Sequence, residues 1–399
     1  MGLLNFRNYD RLWRVYAASV LHYSTPKKML NALRTEVAYR RRVVDVRSAP
    51  YILLLEPLYY CNLECPLCDR QVFANAREND AGKLNLGLYD RLLDEIGDYL
   101  FQCQIFGQGE PTMNWRLTRE ILARTHRRRI YTLLSTNCTL ITPEMAEEMV
   151  GCGLDYLVCA VDGLAQESYE MYRVGGRVED ALAGMQYVVE AKRRLNSRIE
   201  IEWQFLVHAG NVREIPEARR LAAELGVFLR LAPLRGMEWD KGLEDYWLPR
   251  SREWKSQRYA AGEPMYDFPC YFLWRSLVLN SNGKAARCLF YQNAAQYADL
   301  KDMSALSAYN HPSVQQARRL FRRRDALGEE APAPCRSCGF FARHHGQEIT
   351  DRNTHVRQSL LDAPTPRHDG GRAATVNRRR SRALADNAQV PSDVRSPAE

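Results

Sequence analysis

With 399 residues, 46% of them hydrophobic, the chain can bury one large core and a smaller appended unit, which excludes a small scaffold held together by staples. The net charge of +8 invites a nucleic-acid partner, but the arginines are spread through THRRRI, AKRRLN, RLFRRRD and VNRRRSRA rather than gathered in one patch, so solvated faces are the expectation. No apolar run approaches the roughly eighteen residues that span a bilayer, and the N-terminal LWRVYAASVLHY is interrupted by Arg14 and lacks a small-residue cleavage site, so the eleven cysteines are expected to be reduced thiols of a cytoplasmic protein.

In chain order, residues 1–50 read as a helical lead-in, with Leu30, Leu33, Val37 and Val43 interleaved with Lys and Arg, suited to cover the end of a barrel or to face a partner. The run YILLLEP from Tyr51 to Pro57 predicts a buried parallel strand. Helices are then predicted over Leu88–Leu100, Arg116–Arg128, the segment after Thr142 with Pro143 at its first position, Val178–Arg194 and Arg213–Leu225. Strands alternate with them at Cys103–Phe106, Ile130–Leu134, Leu154–Val161, Ile199–Val207 and Val227–Leu231. Six strands alternating with helices imply a parallel α/β sheet with right-handed crossovers. The alternation stops at residues 235–269, rich in Trp, Arg, Glu and Pro, which read as a linker or substrate-facing insertion. A hairpin follows, SLVLN and KAARC around an Asn282-Gly283 turn, and from residue 355 to 399 the composition predicts disorder.

Two sets of cysteines carry chemistry. Cys61, Cys65 and Cys68 lie within eight residues on the loop leaving the first strand, the end of α/β strands where sites are built. Three thiolates can hold an iron–sulfur cluster and leave one iron open, whereas structural zinc wants a fourth N or S ligand that the next thirty or so residues do not offer. The second set is Cys270, Cys288, Cys335 and Cys338, two separated pairs whose spacing suits a fully ligated cluster or zinc equally well. Cys103, Cys138, Cys152 and Cys159 sit on or beside predicted elements and read as core residues.

The C-x3-C-x2-C spacing of the first set resembles the signature of the radical S-adenosylmethionine (SAM) superfamily. Gly107-Gln108-Gly109-Glu110-Pro111, one strand later, is similar to that family's GGEP motif, and Ser135-Thr136-Asn137 to its S/T-N-G segment, with Cys138 in the glycine's place. Val161-Asp162-Gly163 followed by Tyr172-Arg173 resembles the S-x-D-G…Y-R pattern of the branch with extra clusters, although Ala160 replaces the serine. Leu67 stands where the family usually has an aromatic residue against the adenine. The second cysteine set resembles the twitch form of a SPASM domain, with His344 where a full SPASM domain has a further cysteine.

The resemblance implies a partial (β/α)6 TIM-like barrel over residues 51–234 and a small SPASM/twitch-type cluster domain over 270–345. It implies a 4Fe-4S cluster on Cys61, Cys65 and Cys68, SAM held by Gly107, Gly109, Glu110, Pro111, Ser135, Asn137 and Arg173, and a second, auxiliary 4Fe-4S cluster on Cys270, Cys288, Cys335 and Cys338. No catalytic acid or base is singled out. Reduction by a flavodoxin- or ferredoxin-type donor is expected. The substrate expectation is a small hydroxylated molecule, sugar or aminocyclitol-like, undergoing net oxidation, because 50 residues are too few for the peptide-binding domain common among peptide-modifying relatives. A peptide maturase is the alternative, and a zinc-stabilised nucleic-acid-binding protein the alternative of another class.

Overall fold

The structure, a computed structural model, describes residues 15, 17–68, 70, 82–234, 244–247, 249, 270–288, 295–322 and 335. Six parallel strands, β1 (Ile52–Leu55), β2 (Gln102–Ile105), β3 (Tyr131–Thr136), β4 (Tyr156–Ala160), β5 (Glu200–Val207) and β6 (Phe228–Pro233), pair in sequence order. The crossover helices Leu86–Ile96, Trp115–Arg127, Pro143–Gly151, Val178–Arg194 and Ile215–Leu225 cover one face. Three of them begin at a capping side chain: Asn85, Asn114 and Thr142 accept a hydrogen bond from the third residue on, and Pro143 supplies a first-turn position with no N–H to satisfy.

Odd and even residues of each strand face opposite sides, so Leu53, Leu55, Cys103, Ile105, Leu157, Cys159, Trp203 and Phe205 pack under the helices in the main core. The opposite face of β3 and β4, Tyr131, Leu133, Tyr156 and Val158, lines the barrel interior and is covered by Val15, Ala18 and Tyr23 from the N-terminal segment. Gln102 donates to the buried Ser19 hydroxyl at 2.9 Å and Tyr23 to Asp155 at 2.6 Å, fixing that plug.

Two features go beyond the sequence reading. The predicted hairpin forms as β7 (Ser276–Leu279) and β8 (Lys284–Ala286), but it continues the barrel's sheet. β7 pairs parallel with β1, Ile52 opposite Ser276 and Leu55 opposite Leu279, and β9 (Gln296–Asp299) completes a nine-stranded order β6-β5-β4-β3-β2-β1-β7-β8-β9. Local periodicity specifies a strand but not its neighbour. Helix Pro26–Arg40, secondly, turns its polar side inward: Lys28, Asn31, Thr35, Ala38 and Tyr39 are buried, while Leu30, Leu33 (63% exposed) and Val37 face out. Hydrogen bonds decide the orientation. Asn31 exchanges two bonds with the Ala49 backbone at 2.9 and 3.0 Å, Thr35 reaches Ser48 at 2.7 Å, and the Lys28 ammonium caps the Arg129 carbonyl. Residues 355–399, Cys338 and most of 235–269 lie outside the described residues.

This orientation fixes an expected contrast. Asn31→Ala leaves the buried Ala49 N–H unsatisfied and its carbonyl with only the Thr35 hydroxyl at 3.3 Å, and should cost about 1–3 kcal/mol, whereas Leu33→Ser should stay within about 0.5 kcal/mol of wild type. Urea unfolding of both variants measures it; the reverse ranking would mean that the apolar side is the buried one.

Candidate functional site

All predicted site residues that are described in the barrel gather at the C-terminal ends of β1 to β4. The loop after β1 carries Cys61, Cys65 and Cys68, and its backbone is tied to each neighbour in turn. The Glu110 N–H donates to the Tyr60 carbonyl and the Glu64 N–H to the Val174 carbonyl, each at 2.9 Å, and the Asn137 amide donates to Asn62 Oδ1 at 2.9 Å. Cys61, Cys65, Leu67 and Cys68 pack in one cluster with Leu63, Tyr172, Leu234 and Trp247.

Three donors face the sulfurs. The Leu63 N–H lies 3.4 Å from Cys61 Sγ, the Asn137 amide 4.0 Å from the same atom, and the Arg173 guanidinium 3.7 Å from Cys65 Sγ. Burial raises the thiol pKa of both Cys61 and Cys65, opposed at Cys61 by the Leu63 N–H and at Cys65 by the Arg173 charge. Among the described residues no three His, Cys, Asp or Glu side chains are arranged so that they could hold a metal ion as they stand. A cubane, whose thiolates bind different irons, spreads its ligands further apart than a single ion does.

Glu110 is not the exposed anchor that its loop position suggests. It is buried, and Oε1 accepts from the Thr112 N–H at 3.0 Å and from the Thr112 and Thr136 hydroxyls at 2.6 and 2.7 Å, while Oε2 accepts from the Asn137 N–H at 2.8 Å. An ionised carboxylate has about four acceptor sites, so Oε2 keeps one. Gly109 is required for close approach, since a Cβ there would stand 2.2 Å from the Leu58 carbonyl oxygen. Ser135 is half-buried on β3 and Asn137 follows that strand. Cys138 holds a φ of 66°, the left-handed region that favours glycine, with its side chain wholly buried.

Arg173 ends the short helix Gln166–Tyr172 and donates to Asp162 Oδ2 at 2.6 Å; Asp162 Oδ1 accepts from the Leu206 N–H at 2.6 Å. Burial raises the Asp162 pKa against the pull of Arg173. Of the second cysteine set, Cys270 and Cys335 pack beside the cluster of Tyr39, Trp274 and Phe321, and Cys288 follows β8. Cys103, Cys138 and Cys159 are core residues as read, and Cys152 is half-buried at a helix end.

Three participants went unread in the sequence. Glu56, buried at the end of β1, accepts from the Gln108 N–H at 3.2 Å and from the Ser281 hydroxyl at 2.9 Å, joining the Gly-Glu-Pro turn to the β7–β8 turn. Gly107 is shaped by it, because a Cβ there would lie 2.5 Å from Glu56 Cγ. The signal available was a single acid closing an otherwise apolar strand. His208 and Trp247 form a third wall: their rings and that of Tyr172 stand 6.0–6.4 Å apart beside the cysteine loop, and burial lowers the His208 pKa to about 4, so its imidazole is neutral. No pattern marked Trp247, which comes from the insertion.

Glu110→Gln turns an amide donor toward groups that all donate and should lower the stability of the metal-free protein by about 2 kcal/mol or more. Chemical denaturation checks this, and an unchanged midpoint would show that the carboxylate does not tie β2 to β3.

The sequence pattern of the radical SAM superfamily matches residues 55–199, and that of the SPASM iron–sulfur cluster-binding domain matches residues 270–339. A Fe-coproporphyrin III synthase of Methanosarcina barkeri is 29% identical over 160 residues, 39% of this chain and 37% of that protein. The PqqA peptide cyclase of Gluconobacter oxydans is 26% identical over 319 residues, 73% of this chain and 83% of that protein. Among solved structures, Streptococcus suis SuiB bound to precursor peptide SuiA is similar in fold, with a TM-score of 0.56 at 16% identity over 92% of this chain and 87% of that one. The chain therefore belongs to the radical SAM superfamily, whose enzymes work with a 4Fe-4S cluster and SAM, and carries after its barrel a SPASM domain, the seat of auxiliary iron–sulfur.

Proposed function

We propose that this enzyme modifies a peptide, removing a hydrogen atom from an unactivated C–H bond of a side chain and leaving a cross-link formed with net loss of two hydrogens. The observation that carries the reading is the similarity to a peptide cyclase over 73% of this chain and 83% of that protein. The match to the porphyrin-related enzyme covers only 37% of that protein. This supports a peptide over the small hydroxylated substrate expected from the sequence.

When bound, the cluster with SAM supplies a hydrogen-abstracting 5′-deoxyadenosyl radical, and auxiliary iron–sulfur accepts the second electron. The residues present fit these groups. Cys61, Cys65 and Cys68 would hold the first cluster as thiolates, supported by the donors at their sulfurs. Cys270, Cys288, Cys335 and Cys338 would hold the auxiliary one. SAM would lie against Gly107, Gly109 and Pro111, with its ammonium on the remaining site of Glu110 Oε2 and its carboxylate or ribose at Arg173, Ser135 and Asn137. Asp162 orients Arg173, and the half-buried Gln104, Gln204 and Arg230 give a peptide a polar wall inside the barrel. A flavodoxin- or ferredoxin-type protein would deliver the first electron. No helix among the described residues is long and apolar enough to cross a membrane.

Anaerobic reconstitution should load about eight irons in two clusters, falling to about four when Cys61, Cys65 and Cys68 are replaced together by Ala, with SAM cleavage lost. Retained cleavage in that variant would sink the assignment of the three cysteines. For the substrate, co-expression with short open reading frames from the gene neighbourhood, followed by high-resolution mass spectrometry, should find a peptide lighter by two hydrogens. Dehydrogenation of a polyol, with every peptide unchanged, would return the small-molecule reading.

A further inference from the structure

Outside the site just described, a cleft of about 880 Å³ runs between helix Leu86–Ile96, helix Trp115–Arg127 and the β7–β8 turn. Its walls are net positive: Lys83, Arg116, Arg124, Lys284 and Lys301 outnumber Glu120 and Asp299. Lys83, Arg116, Lys284 and Lys301 are exposed around it, and none has an ion-pair partner among the described residues. The remaining cation, Arg124, is neutralised by Asp90 and Glu120, and the remaining acid, Asp299, accepts the Lys301 backbone N–H at 2.9 Å. Both helices begin in the cleft, at Asn85 and Asn114, adding the positive ends of their dipoles. Asp299, opposite Lys284 on the neighbouring strand, offsets part of this charge, and the surplus of cations facing one concave space is a mutual repulsion that an anionic occupant would reverse.

We infer that this cleft binds an acidic stretch of the peptide that the enzyme modifies, holding it outside the barrel while another part of the same chain reaches the reacting centre. The inference rests on the peptide reading above. Position supports it: Asn114 closes the turn that Glu110 opens, and Ser281 and Gly283 belong to the turn that Glu56 ties to the Gln108 backbone, so the cleft borders the rim of the barrel mouth. Extended peptide suits a cleft with cations on the helix side (Arg116) and on the β7–β8 side (Lys284, Lys301), because successive side chains can meet both. Charge contacts of this exposed kind chiefly raise the rate of capture and fix register.

The test uses the full chain, anaerobically reconstituted, and fluorescence anisotropy of a fluorescein-labelled Glu-Ala repeat peptide, with a Gln-Ala repeat of equal length as control. Wild type should bind the Glu peptide, and binding should largely vanish at about 1 M salt, where screening acts within about 3 Å. K83E/R116E/K284E/K301E should weaken it by at least about tenfold while leaving SAM affinity by calorimetry and the circular dichroism spectrum unchanged. The milder K83Q/K284Q should fall between the two. Equal binding of Glu and Gln peptides by wild type, or an unaffected quadruple variant, overturns the inference, and the mass-spectrometric search above still decides the peptide reading. Tighter, equally cation-dependent binding of a labelled oligouridylate would overturn it in favour of nucleic acid.

Discussion

Ionised carboxylates taken out of water must be paired or hydrogen-bonded, at a cost of several kcal/mol each when they are not. Among the described residues, four carboxyl groups are buried around the barrel: Glu56, Glu110, Asp162 and Glu202. Glu202, inside the barrel, is held by the Tyr156 hydroxyl at 2.6 Å and by Arg230. The other three stand where β1, β2 and β4 give way to loops, and their partners are mostly N–H and hydroxyl groups of the neighbouring loops. The loops at the barrel mouth are therefore stitched to one another, and a flexible three-cysteine segment becomes a positioned one.

Much of this was legible in the sequence. Apolar runs gave β1 to β6 to within a few residues, and Thr142 with Pro143 placed the start of one helix between them, whereas the caps at Asn85 and Asn114 begin their helices one or two residues before the periodicity suggests. The short helix Gln166–Tyr172, whose Ala165 offers no side-chain cap, was not foreseen. The cysteine spacing gave the chemistry because its signal is local. What could not be read depends on contacts distant in sequence. Nothing within Ser276–Leu279 says that its parallel partner is Ile52–Leu55. Leu30 and Leu33 have helical spacing, yet the buried side was chosen by Ala49, Ser48 and Arg129, which offered partners to polar groups and none to leucines.

At the site the same division holds. The motif residues arrive at one rim because parallel strands end on one side of a sheet. Their individual orientations were not readable: Glu110 turns inward to Thr112, Thr136 and Asn137, and Arg173 reaches Cys65 only because Asp162 holds its other edge. Cys138 also shows how a motif can lose its glycine and keep its backbone, here with a small thiol tolerated in a left-handed position beneath Gly184, where a Cβ would meet the Cys138 carbonyl oxygen at 2.1 Å.

The seamless passage from β1 into β7 bears on how such a protein could arise or be taken apart. β1 is an interior strand with every residue buried, and its second edge is satisfied by the C-terminal region alone. A gene truncated before that region would leave Ile52–Leu55 as a bare apolar edge, the kind of surface on which foreign strands polymerise. The C-terminal region is thus no cassette to be shuffled between barrels by simple fusion; any ancestor lacking it needed some other cover for that edge, and any recombinant that swaps it must bring a strand in matching register.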